Sequence, residues 1–133
     1  MDTREQFVSD LLYYTRKGET MWVPLSSLPK EKRLPIPPNL DIFPAYVSFS
    51  GENDIFTYCI IETASDKKYY VFITYLKGNV AFILQQSELS NPYTLKALFD
   101  AAAKKTTEDM LREMKKSLEQ AGYTVTPPLK EDC

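Results

Sequence analysis

Cys59 and the carboxylates Glu52, Asp54, Glu62 and Asp66 are the residues of this chain best suited to making and breaking bonds. Two carboxylates facing one substrate can divide the roles of general acid and general base, and a thiolate can act as a nucleophile. Together they define one reading, a small hydrolase or transferase using carboxylates or Cys59. Their settings favour something plainer. Glu52, Asp54 and Asp66 lie in the polar turn segments GEND and ASDK, and Glu62 is a polar member of an alternating strand. Cys59 stands between Tyr58 and Ile60, with no adjacent cation or helix start to lower its pKa. The chain contains no histidine. Imidazole-assisted serine or cysteine catalysis and every histidine-containing zinc site are thereby excluded. No catalytic residue is assigned.

Cofactor motifs are equally sparse. The four glycines, Gly18, Gly51, Gly78 and Gly122, fall singly at helix ends and turns, so no clustered phosphate cradle exists. No calcium-loop spacing occurs, and neither metal nor cofactor is expected. The segment Lys77-Gly78-Asn79-Val80-Ala81-Phe82 resembles the third-strand motif of RNA-recognition domains, but Asn79 stands where that motif wants an aromatic. Sixteen basic against eighteen acidic residues leave a net charge of −2, too little field to attract nucleic acid or anionic lipid.

What remains is binding chemistry. Lys32 to Pro38 (KRLPIPP) matches the basic-x-x-Pro-x-x-Pro form of polyproline ligands, with Pro35 and Pro38 as the paired prolines. Farther on, alternation puts Tyr69, Val71, Ile73 and Tyr75 on one face of a strand and Tyr70, Phe72, Thr74 and Leu76 on the other. Val80, Phe82 and Leu84 then oppose Ala81 and Ile83 on the next strand. A sheet wet on one side shows polar residues there, so both faces want cover, from the chain itself or from a second protein. The best function reading is a small non-enzymatic protein-binding or assembly module. Its candidate interface is Tyr69, Tyr70, Phe72, Tyr75, Pro35 and Pro38, and its partner is another protein or a second copy in a homodimer.

These residues need a scaffold. At 133 residues, 44% hydrophobic and 26% charged, the chain suits one folded domain. Thr3 and Gln6 can form a capping box for a helix over 4–17, with Phe7, Val8, Leu11 and Leu12 as its stripe and Gly18 as its stop. An edge strand follows over 20–25, carrying Pro24. Residues 26–44 form a Pro-rich loop that Leu34, Ile36, Leu40, Ile42 and Phe43 can pin down; six of the nine prolines lie between Pro24 and Pro44, too dense for a regular element. Runs at 45–50, 55–63, 68–76 and 80–86 have strand composition, and separators this short suit hairpins, so 45–86 reads as an antiparallel meander.

Asn91 and Pro92 open a helical region over 92–121. Its first stripe is Leu95, Leu98, Phe99 and Ala102; its second is Met110, Leu111, Met114, Leu118 and Ala121, centred about 120° farther round at 100° per residue. One straight helix cannot bury both against the same surface, so a break falls at Thr106-Thr107, where either threonine can act as a new cap. A tail covers 123–133. The fold class is therefore α+β: an N-terminal helix, a four- to five-stranded antiparallel β-meander and a C-terminal helix broken or kinked near residue 106. Thr15, Gly18 and Trp22, in this order of elements, resemble the layout of several small bacterial and phage proteins; a likeness of layout implies no activity and no site residue. Trp22 is expected to lock the first helix and the long loop onto the sheet. Cys59 and Cys133 do not form a disulfide framework, and no export signal or membrane anchor is evident, so a reducing, cytoplasmic setting is expected.

Overall fold

Helix α1 (Thr3–Arg16) forms because Val8, Leu11 and Thr15 recur on one buried face. It ends where Gly18 takes φ +79°. There the Gly18 amide donates to the Thr15 carbonyl and the Glu19 amide to the Tyr14 carbonyl, both at 3.0 Å, the two bonds of a Schellman motif. Gln6 does not reach back to cap the start; its side-chain amide donates to Asp10 Oδ1 at 2.9 Å. The computed structural model describes residues 3–41, 43–63 and 69–122. Ile42, the ASDK turn with Asp66, and the 123–133 tail with Cys133 lie outside the described residues.

Five strands follow in chain order: β1 (Val23–Pro24), β2 (Ala45–Ser50), β3 (Phe56–Thr63), β4 (Tyr69–Leu76) and β5 (Asn79–Gln85). Each pairs antiparallel with the next, giving the sheet order β1-β2-β3-β4-β5. The expected edge strand shrinks to two residues, since Pro24 has no amide to donate. One register detail departs from simple alternation. Thr74 pairs with Phe82 but Tyr75 with Val80, leaving Ala81 bulged. Val80 therefore shares the face of Tyr75 and Ile83, rather than that of Phe82 and Leu84 as unbroken alternation predicts.

The chain covers both sheet faces over the central strands. On one, Val8, Leu11 and Trp22 join Leu95, Leu98 and Ala102 over Tyr58, Ile60, Tyr70 and Phe72. On the other, Leu25, Leu28, Leu34, Ile36, Leu40 and Phe43 of the Pro-rich segment pack on Val47, Cys59, Ile61, Val71, Ile73 and Tyr75. The Tyr75 hydroxyl donates to the Pro35 carbonyl at 3.0 Å, tying the segment to the sheet centre.

Helix α2 (Tyr93–Gln120) is one element of 28 residues. Asn91 Oδ1 accepts from the Tyr93 amide at 3.0 Å, as a cap should. The break expected at Thr106-Thr107 is absent. Both threonines bond back along the helix, Thr106 Oγ1 to the Ala102 carbonyl at 2.8 Å and Thr107 Oγ1 to the Ala103 carbonyl at 3.0 Å, so neither serves as a cap. The break followed from requiring both stripes to be buried, and only the first is. Trp22 also acts differently from expectation. It lies in the helix-side cluster, and Thr106 Oγ1 contacts its carbonyl at 3.0 Å, so it joins α1 to α2 instead of holding the Pro-rich loop.

Candidate interaction surface

The residues suited to bond-making chemistry do not converge. Cys59 sits fully buried between Val47 and Ile73, and burial pushes its thiol up to about 12. A thiol so held is neither an accessible nor an activated nucleophile. Glu52 and Asp54 are exposed in a one-turn helix between β2 and β3. Glu62 Oε2 accepts from the Tyr70 hydroxyl at 2.6 Å, and burial followed by this bond raises the Tyr70 pKa. Among the described residues no group of three or more cysteines and carboxylates is placed to hold a metal ion.

The interface candidates divide. Tyr70, Phe72 and Tyr75 are core residues, enclosed by the helices or by the Pro-rich segment, so they offer no surface on a single chain. Alternation assigns a residue to a face but says nothing of what lies over that face. Tyr69 is partly exposed and lines a shallow hollow of about 510 Å³ beside Leu40, Phe43, Val71 and Ile83. Its hydroxyl is already engaged, donating to Gln85 Oε1 at 2.8 Å. Pro35 and Pro38 are exposed. The Pro35 carbonyl accepts from Tyr75, Leu34 and Ile36 are packed inward, and Lys32 Nζ lies over the Phe49 ring, 5.3 Å from its centroid. A polyproline-type ligand would have to peel this strap off the core.

A cleft lies between the end of α1 and α2, with Arg16, Lys17, Lys96, Lys104, Lys105 and Arg112 along it. Most of these cations already face carboxylates. Lys96 meets Asp100 at 2.7 Å, Lys105 meets Asp109 at 2.8 Å, Arg112 meets Asp109 at 2.9 Å and Lys17 meets Glu19 at 3.4 Å. Hydrogen bonds from Lys105 and then Arg112 hold the Asp109 carboxyl below its usual range against the opposing effect of burial. This is an ion-paired helix face rather than an anion receptor.

The surface that stands apart is the end of α2. Its buried residues stop at Thr106, and every residue from Met110 to Gln120 is exposed. Within that segment Met110, Leu111, Met114 and Leu118 are 54, 59, 58 and 47% exposed. Eleven residues rise about 16 Å, so three turns carry an apolar stripe into solvent. Isolated exposed apolar side chains need no explanation, but a helical stripe of four does. The sequence displayed this stripe; what concealed its exposure was the assumption that an amphipathic stripe belongs to its own domain's core.

No family model, curated protein or solved structure matches this chain. Among the described residues no helix is long and apolar enough to cross a membrane.

Proposed function

We propose that this domain is a protein-binding or assembly module whose docking element is the exposed end of α2. The observation that carries this reading is the stripe Met110, Leu111, Met114 and Leu118, left in solvent on a helix whose other apolar stripe is fully used in the core. Helix-in-groove and helix-on-helix recognition both use anchors spaced in this way. The meander aromatics and the Pro-rich segment move from candidate interface to supporting scaffold. A reading as a hydrolase or transferase draws no support from Cys59, which is buried as a neutral thiol, or from Glu62, which holds Tyr70.

The test replaces Met110, Leu111, Met114 and Leu118 together by glutamine. These side chains contribute nothing to the core, so circular dichroism and thermal stability should match the unaltered protein. Size-exclusion profiles, of purified protein and of cell extract, should show a species larger than the 15.3 kDa monomer that the glutamine variant loses. Monomeric elution of the unaltered chain in both settings overturns the reading.

A further inference from the structure

We infer that the occupant of the α2 stripe is a second copy of the same helix, laid antiparallel across it; this rests on the docking role proposed above. Thr107, Leu111, Met114, Leu118 and Ala121 are separated by four, three, four and three residues, the alternation of a coiled-coil seam. With Leu111 and Leu118 at the a positions, Thr107, Met114 and Ala121 fall at d. Glu108 and Lys115 then take the flanking e positions, and Met110 and Ser117 the g positions. Upstream, Lys104 and Asp100 occupy the seam line, so its apolar part ends at Thr107.

Charge selects the register. In an antiparallel pair, a faces d and e faces e of the other helix. When Leu111 faces Met114 of the second copy, and Leu118 its Thr107, Glu108 lies opposite the second copy's Lys115, and two-fold symmetry repeats the pair. Sliding by one heptad in one direction sets Glu108 against Glu108; sliding in the other sets Lys115 against Lys115. Only the central register therefore matches the charges while covering Leu111, Met114 and Leu118; it leaves Ala121 opposite Lys104. An in-register parallel pair would put Lys115 near Met110 and form no such ion pair. The geometry of the body agrees, since the overlap runs from residue 107 to 118 and the buried part of α2 ends at Thr106. Lys105, Asp109 and Arg112 bond among themselves on another face and leave the seam clear.

Sedimentation of the purified full chain over a wide concentration range tests this. A reversible monomer–dimer equilibrium is expected. Glu108→Lys and Lys115→Glu should each weaken it by ~10-fold, as expected for two exposed ion pairs turned repulsive. The double variant should recover the original affinity. Both positions are exposed, so unchanged circular dichroism guards against misfolding. In a Cys133→Ser background, Thr107→Cys with Leu118→Cys should yield an oxidised dimer, whereas Leu118→Cys alone should not. Failure of the double variant to recover, or self-cross-linking of Leu118→Cys, overturns the antiparallel pairing. A purified chain that is monomeric at every concentration, yet joins a stripe-dependent assembly in extract, overturns self-pairing and leaves the docking role standing. Monomers in both settings overturn both.

Discussion

Replacing Trp22 by alanine should cost this domain ~3–5 kcal/mol, the range found for large aromatic truncations in packed cores. Trp22 is 1% exposed and touches the cluster that contains Val8 and Leu11 of α1 and Ala102 of α2. Burial of ~200 Å² at ~25 cal/mol per Å² gives ~5 kcal/mol as an upper figure, because an unfolded chain already shields part of that surface. The polar edge of the ring is also accounted for. The indole N–H donates to Thr15 Oγ1 at 3.0 Å, while the Thr15 hydroxyl donates to the Leu11 carbonyl at 2.8 Å. Thr15→Val keeps the branched shape but leaves the indole N–H buried without a partner, at a cost of ~1–3 kcal/mol. In a Trp22→Phe background no indole N–H remains to be orphaned, so the same substitution should cost clearly less. Urea unfolding followed by circular dichroism measures the intact chain and the four variants, and the intact chain should show blue-shifted, acrylamide-shielded emission. An alanine variant that loses under ~1 kcal/mol, or equal Thr15→Val costs in both backgrounds, refutes the anchoring role and the hydrogen bond respectively.

Two further outcomes follow from the sheet. The Cys59 thiol has an ordinary value of 9.0 and is raised to about 12 by burial, so its neutral form stabilises the folded state. That contribution is fully present below pH 9.0 and declines as pH rises toward about 12; Cys59→Ala should flatten this alkaline loss, and mass spectrometry after thiol alkylation should find Cys59 labelled only once the protein is unfolded. Tyr75→Phe removes the donor to the Pro35 carbonyl. It should lower stability by ~1 kcal/mol and speed hydrogen exchange or proteolysis within residues 25–41, with no effect on α2; unchanged protection of that segment would show that its apolar contacts alone hold it.

The placement of the apolar stripe on α2 has a simple dimensional cause. A 28-residue helix is about 42 Å long at 1.5 Å per residue. The eight-residue strands beneath it span about 27 Å at 3.3–3.4 Å per residue. A helix that packs along such a sheet outruns its support, and its last turns must face solvent or another molecule. The continuity of α2 follows as well: with no surface to receive the second stripe, nothing rewards a break at Thr106, and the threonine hydroxyls return to carbonyls of the preceding turn.

Local chemistry in the sequence determined the meander, because the turns joining its strands are too short for parallel crossovers, and the strand limits follow from composition to within about a residue. It also determined the stop of α1 at Gly18, the cap of α2 at Asn91 and the need for cover on both sheet faces, since each depends on residues close together in the chain. Tertiary structure decided what alternation and helical periodicity cannot encode. It assigned the helices to one sheet face and the Pro-rich strap to the other, turning Tyr70, Phe72 and Tyr75 from candidate surface into core. It bulged Ala81 and so reversed the side of Val80, and it left Met110, Leu111, Met114 and Leu118 outside. Periodicity fixes which residues share a face; whether that face meets protein or water depends on where distant segments end, which is a property of the assembled body and not of any local run.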